Sequence, residues 1–492
     1  MWLPISAQVS EKRLTRMLLP GGVTRATKLM YGFGTVAYGV KDNGFNFLLL
    51  LFYNQVLGLP ARWVGFAIMI ALIVDGFVDP LIGHLSDHLH SRFGRRHPFM
   101  YASALPVAVF YYFLWNPPAA LDHGVLFAYL LVTAIMVRML IACYEIPSAA
   151  LISELTQDYD QRTSLVAYRF FFGVLGAVFI GVLAFAVYLQ PSKTESVGML
   201  NRAGYHGYSI AAALVMFAAI LISSAGTHRF IPYLRAAPAK RAFNLSAEVK
   251  EIRAALSNRG LLAMLGTGCF GSMAAGIVFN LSIYFATYFW HLSPNQLSLI
   301  SLSSLASALI ALLLARLISS RFDKKPAALA TAIAALILAP STIALRLLHF
   351  FPDNSAPALF PLILGITVIH TTLSLLSATL LTSMLADTIE ENEIQNRQRS
   401  DGLYFAAAFF VQKCVSGLGI FASGIVLSWA QFPEGARPDA VAPEVLRNLG
   451  WLYILIIVAL YALSIGCIPF YRIGRADHAA NVLRLQQESP GA

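Results

Sequence analysis

Residues 61–98 read ARWVGFAIMIALIVDGFVDPLIGHLSDHLHSRFGRRHP. An apolar run of helix length ends in a loop rich in arginine, and two aspartates, Asp75 and Asp79, sit inside the run rather than beyond it. A spanning helix needs about 20 apolar residues, and the stretch before Ser86 supplies them. The loop Ser91-Arg92-Phe93-Gly94-Arg95-Arg96-His97-Pro98 has a second version at Ser320-Arg321-Phe322-Asp323-Lys324-Lys325-Pro326. Working outward, apolar runs with Gly, Pro and charged breaks predict helices near 30–57, 62–85, 98–115, 124–152, 164–189 and 207–225. A second set follows near 260–290, 295–316, 326–346, 357–386, 402–430 and 449–471. The two loop copies therefore lie six helices apart.

Composition agrees with twelve spans. The 492 residues are 58% hydrophobic and only 12% charged, against about 25% charged in soluble domains. This excludes an ordinary soluble enzyme. The four cysteines, Cys143, Cys269, Cys414 and Cys467, lie in apolar segments without CxxC spacing, so neither a disulfide framework nor a zinc site is expected. No Ser/His/Asp set or phosphate loop is present, which removes a hydrolase or an ATP-driven pump. The net charge of +10 follows from topology rather than from nucleic acid. With the N-terminus inside, predicted cytoplasmic segments hold 25 of the 35 Lys+Arg and outer loops hold six, which sets the orientation with both termini cytoplasmic. Trp63, Trp115, Trp290, Trp429 and Trp451 then fall at outer helix ends, where indole prefers to lie. The start, residues 1–29, reads as a retained cytoplasmic N-terminus.

A 6+6 chain with a parallel repeat and a basic central loop predicts an all-α membrane protein of the major facilitator architecture, with twelve transmembrane helices in two six-helix bundles. The expected parts are a bundle over 30–225, a central cytoplasmic loop over 226–258, a second bundle over 259–472 and a tail over 473–492.

An ionisable group in hydrocarbon costs at least about 2.5–3.5 kcal/mol, so each is a functional candidate. Eight stand out: Lys41 and Asp42 in helix 1, Asp75 and Asp79 in helix 2, Arg138 and Glu145 in helix 4, Arg169 in helix 5 and Lys413 in helix 11. Asp75 and Asp79 are i, i+4 neighbours whose carboxylates repel in low dielectric. A bound Na⁺ or a shared proton would satisfy them, and Asp79-Pro80 is expected to break the helix and free carbonyls for ligation. The alternative is a permanent salt bridge to Lys41, Arg138 or Arg169. Arg138, Glu145 and Arg169 are expected to form one salt-bridged cluster that contacts a polar ligand or pins helices 4 and 5. Lys413 has no acid at its depth in its own half, so a first-half carboxylate or the ligand is its expected partner. Asp87 with Arg92, Arg95 and Arg96 reads as a gate latch at the cytoplasmic helix ends. His84 and His88 are spaced for a metal but lack a third ligand.

These residues carry a resemblance. Lys41-Asp42, Asp75-x-x-x-Asp79-Pro80 and Ser86-Asp87 with Ser91-Arg92-x-Gly94-Arg95-Arg96-x-Pro98 resemble the glycoside-pentoside-hexuronide:cation symporter family, which includes the melibiose carrier. Tyr144-Glu145-Ile146-Pro147, Glu154-Leu155-Thr156-x-Asp158-Tyr159-x-x-Arg162-Thr163, Tyr168-Arg169, Ala386-Asp387, Asp401-Gly402-Leu403-Tyr404 and Lys413 continue the match in order. The resemblance implies cation-coupled symport of a small molecule, with Asp75 and Asp79 holding Na⁺ or H⁺. Lys41, Asp42, Arg138, Glu145, Ala149, Arg169 and Lys413 would surround the substrate, while Arg162 and Asp387 would join the gate. No other cofactor is implied. The chain departs from the melibiose carrier at Val78 and Ala142, which lack side-chain oxygens, and at Ala149 and Ala378, which stand where that carrier stacks tryptophans. Ala408 and Phe409 replace its amide and hydroxyl near Lys413. The expected substrate is a sugar, glycoside or uronide; the alternative is a lysophospholipid or similar amphiphile, since animal lysophosphatidylcholine symporters share the fold. A non-transporting sensor is a further alternative, disfavoured by the balanced buried charges. The expected setting is a monomer among the lipids of a bacterial inner membrane.

Overall fold

The computed structural model describes residues 23–156, 158–193, 195–234, 259–396 and 401–471. The segments 1–22, 235–258 and 472–492, which contain most of the expected N-terminal, central and tail segments, lie outside the described residues, as do the side chains of 401–409, Ala408 and Phe409 among them. All the regular structure among the described residues is helical. The helices are α1, a run made of Arg25–Phe33, Val36–Asn43, Gly44–Leu48, Leu49–Leu51 and Phe52–Val56; α2, Ala61–His88; α3, His97–Trp115; α4, His123–Leu155; α5, Tyr159–Leu183; and α6, Arg202–His228. There follow α7, Arg259–Tyr284; α8, Pro294–Arg321; α9, Lys324–Leu347; α10, Leu359–Asn396; α11, Asp401–Trp429; and α12, Pro443–Cys467. Eleven of these helices are long and apolar enough to cross a membrane; the broken α1 is the twelfth.

Local chemistry sets the ends. Asp122 and Asp158 cap α4 and α5 by accepting from the N–H groups of Gly124 and Gln161, and Ser293 with Gln296 forms a reciprocal capping box on α8. Two expectations are revised. The Asp79-Pro80 step does not break α2, which stays helical through Pro80; a proline withholds one N–H, here from the Gly76 carbonyl, and the turns on either side carry the helix on. The first helix, predicted near 30–57, is interrupted at Gly34-Thr35, where the Thr35 hydroxyl lies 2.7 Å from the Gly32 carbonyl and 2.6 Å from that of Arg169. Its outer part is π-helical over Gly44–Leu48 and Phe52–Val56, and α7 ends in a matching π-turn, Phe285–Phe289.

The chain forms two compact units. The first comprises residues up to Phe45, Val74–Tyr188 and Arg202–Ala242. In it, α1 packs mainly on α5 and α6, and α3 on α6 and α4. The second comprises Asn46–Ile73, Leu189–Asn201 and the chain from Phe243. There α7 packs on α11 and α12, and α9 on α12 and α10. The order of packing repeats with an offset of six helices, as the duplicated loop predicts.

Glycine carries that repeat at atomic scale. A Cβ on Gly39 of α1 would lie 2.0 Å from the Gly173 carbonyl oxygen of α5, and one on Gly419 of α11 would lie 2.4 Å from the Met273 carbonyl oxygen of α7. Lipid supplies no hydrophobic drive between helices, so small residues that admit close backbones hold these contacts. The outer ends of α1 and α2 are built into the second unit. Tyr284 donates to Asn54 Oδ1 at 2.9 Å, and Tyr288 donates to the Ala436 carbonyl at 2.9 Å beside Gln55 Oε1. Gln55 Nε2 donates to the Pro433 carbonyl at 3.1 Å. Gly39→Val should therefore lower thermal stability by about 2 kcal/mol or more, whereas Gly365→Ala, where a Cβ meets nothing within 4 Å, should stay within ~0.5 kcal/mol; detergent-phase melting of both variants checks this.

Candidate functional site

Among the described residues, the charges inside the helices of the first unit include three ion pairs, with Arg138 and Glu145 in separate ones. Lys41 Nζ lies 2.7 Å from Asp42 Oδ1 and 4.0 Å above the Tyr38 ring. Arg138 Nη1 lies 3.3 Å from Asp75 Oδ2, and each of these side chains is 4% exposed. Arg169 pairs with Glu145. The expected association of Arg138 with Glu145 is replaced because Arg138 turns to α2 while Glu145 turns to α5. The two positions are two turns apart on α4, far enough for each to choose a different neighbouring helix.

Arg169 is fixed from several sides. Beyond Glu145, it donates to Ser148 Oγ at 2.8 Å and to the Tyr31 hydroxyl at 3.2 Å. Tyr31 donates to the Ser148 carbonyl at 2.6 Å, and Ser223 donates to the Tyr31 carbonyl at 3.0 Å. Tyr144 lies 2.9 Å from Ser223 across α4 and α6. Such a fully connected polar network holds one arrangement of its members. Glu145 Oε2 stands apart: it is buried and accepts no hydrogen bond. One turn on, Ala149 is exposed. The α4–α5 face thus presents an unspent carboxylate oxygen beside a fixed guanidinium, with the exposed Ala149 one turn away.

Asp79 lies one turn beyond Asp75 and is partly buried. In the second unit Lys413 is partly buried on α11. That unit also holds a cavity of about 320 Å³ whose lining includes Ser272, Ser377, Ala378, Gln412 and Tyr461, with no charged side chain. Among the described residues no group of three His, Cys, Asp or Glu could hold a metal ion; the His84 and His88 rings lie against each other at a tilt, with centroids 4.2 Å apart.

At the predicted cytoplasmic ends the cluster of ion pairs has more members than the expected latch. Arg96 lies 3.1 Å from Asp87 and 3.1 Å from Glu154, while Arg95 pairs with Glu154 and lies 3.6 Å from Asp87. Glu154, at the end of α4 and 1% exposed at its side chain, is the member that sequence reasoning did not single out, although it begins the Glu154-Leu155-Thr156 motif. Arg92 is not brought in: it is exposed and lies over the Phe93 ring. Arg162 donates to the Thr156 carbonyl at 3.0 Å. The second unit repeats the device. Lys324, in the duplicated loop, lies 2.7 Å from Asp387 near the end of α10, and Tyr471 donates to the same carboxylate at 3.1 Å.

A family model described as "MFS/sugar transport protein" matches residues 30–475. An uncharacterized symporter of Synechocystis sp. is 24% identical over 92% of this chain and 95% of its own length. The isoprimeverose transporter of Lactiplantibacillus pentosus is 23% identical over 87% of this chain and 85% of its own. Among solved structures, a D-xylose-proton symporter superposes with a TM-score of 0.58 at 16% identity, covering 89% of this chain and 96% of that one; at that identity the likeness is one of fold.

Removing one partner of a buried pair leaves an uncompensated charge, at a cost of about 3–5 kcal/mol. Glu154→Gln should therefore depress the melting midpoint strongly, whereas Asp353→Asn, which removes the 82% exposed partner of Arg346, should change stability by about 1 kcal/mol or less. Equal effects in a melting assay would contradict the buried latch.

Proposed function

Because the chain belongs to the MFS/sugar transport protein family, with residues 30–475 matched, we propose that it is a cation-coupled secondary symporter of a sugar, glycoside or uronide. It is a multi-pass membrane transporter and not an enzyme. Its place is the bacterial inner membrane with both termini cytoplasmic, in keeping with the distribution of Lys and Arg.

The observation that carries the substrate class is the free Oε2 of Glu145 beside the anchored Arg169. A carboxylate that accepts and a guanidinium that donates, side by side, suit vicinal hydroxyls, each of which donates once and accepts twice. Leaving such an acceptor unsatisfied costs about 1–3 kcal/mol or more, and a solute hydroxyl recovers that cost on binding. Asp75 and Asp79 are the carboxylates that serve the coupling cation. In the first unit Lys41, Asp42 and Ala149 complete the substrate surroundings. Asp87, Arg95, Arg96 and Glu154, with Asp387 in the second unit, form the cytoplasmic latches that open and re-form during transport.

A second reading, an amphiphile such as a lysophospholipid, is favoured by one feature only: the uncharged cavity beside Ala378, lined mainly by small and apolar residues. A panel of labelled pentosides, hexosides, uronides and lysophospholipids, tested for uptake into proteoliposomes, separates the two. Glu145→Gln keeps the shape of the side chain and removes its charge. It should weaken the apparent affinity for a transported glycoside by about 10- to 100-fold, and, because it leaves the buried Arg169 without its carboxylate, it should lower the melting midpoint as well. Unchanged affinity would take Glu145 out of the site.

A further inference from the structure

Arg138 is held unlike the other buried arginine of its unit. Arg169 spends its donors on Glu145, Ser148 and the Tyr31 hydroxyl. Arg138 donates to Asp75 Oδ2 at 3.3 Å, and its guanidinium carbon sits 4.5 Å from the centroid of the Phe45 ring. Its Nε is buried and makes no hydrogen bond. A guanidinium with one carboxylate, an aromatic face and a wasted donor is held by fewer partners than Arg169. It is well placed as a cation delivered to a carboxylate.

The carboxylate it meets belongs to the Asp75/Asp79 pair. Two carboxylates one turn apart on a helix call for positive charge, and part of that demand is met by a group that never loses its proton. Lys41 adds to the field, lying within electrostatic reach of both Asp75 and Arg138 while paired to Asp42. A free ion competing for Asp75 has to displace a tethered rival, whose effective concentration is set by its short linkage rather than by the medium. Hard cations also require several oxygen ligands. Val78 on α2 and Ala142 on α4, four residues beyond Arg138, contribute no side-chain oxygen. Among the described residues the charged groups near Asp75 include Arg138 on α4 and Lys41, itself paired to Asp42, on α1.

We propose that Arg138 is the ion-selectivity residue of this carrier: it occupies Asp75 as a built-in cation and keeps sodium from using the two aspartates together. The inference rests on reading Asp75 and Asp79 as the coupling-ion site. It makes the wild-type protein insensitive to sodium, with the coupling ion taken through Asp79 and not by both carboxylates. Removing the guanidinium recreates a two-carboxylate site.

The test uses the full-length purified protein and needs no solute, so it is readable whether or not the transport reading holds. Melting midpoints are compared in NaCl, KCl and choline chloride at equal ionic strength, since an ion that binds the folded state raises its midpoint. For the wild type the three salts should agree within about 1 °C. Arg138→Ala should gain a sodium-specific rise of about 2 °C or more, and Asp75→Asn added to it should abolish the gain. Arg138→Lys, which keeps a tethered cation, should behave as wild type. If Arg138→Ala does not fold, Arg138→Gln is read in the same way, and equilibrium binding of radioactive sodium to the wild type supplies the second measurement. A sodium-specific rise in the wild type, one displaceable sodium bound per wild-type chain, or a folded Arg138→Ala indifferent to sodium would each overturn the proposal.

Discussion

A charge placed in hydrocarbon has to be neutralised where it stands, and the first unit is organised around that requirement. Lys41 with Asp42, Arg138 with Asp75 and Arg169 with Glu145 are pairs that no amount of apolar packing replaces once one member is present, because the remaining partner would be left charged and dry. Two of the three join different helices, α2 to α4 and α4 to α5, so electrostatics registers helices that lipid alone would let slide. The pairs are not equivalent in their surroundings. Arg169 is enclosed by hydroxyls and stays put, whereas Arg138 hangs on one carboxylate and a ring. A carrier needs both kinds, a fixed wall for a solute and a set of charges whose partners change.

The parallel repeat extends this economy to the whole chain. The glycine contacts of α1 with α5 and of α7 with α11 are the same solution to packing in lipid, and the basic loops of the two halves find acids at the ends of α4 and α10. The functional charges break the symmetry. In the first unit Tyr31, Tyr144 and Ser223 tie α1, α4 and α6 together by hydrogen bonds; the second unit holds a cavity lined by side chains such as Ser272 and Ser377 without charge.

Most of the fold was legible because its signals are local: twelve apolar runs, basic loops on one side and a duplicated heptapeptide need no knowledge of neighbours. The resemblance to glycoside:cation symporters, read from Asp75-x-x-x-Asp79-Pro80 and the Arg95-Arg96 loop, is borne out by the family match. What stayed illegible depends on direction. Arg138 and Glu145 share a helix face, yet each reaches a different neighbour, which spacing along one helix does not reveal. Arg92 and Arg95 look alike in sequence, but only Arg95 points at Glu154. Glu154 itself was passed over because a carboxylate at a helix end is ordinary until arginines are found around it. The π-turns of α1 and α7 leave no compositional trace, and Pro80 pointed to a break that one missing N–H does not cause.

The central claim is that these buried charges tie the movement of a cation to that of a solute. The direct test is accumulation of a labelled glycoside or uronide from the panel in proteoliposomes under an imposed inward cation gradient. The account predicts transient accumulation above the external concentration, collapsing when an ionophore dissipates the gradient. Equilibration to the external level alone, unchanged by gradient or ionophore, would contradict it.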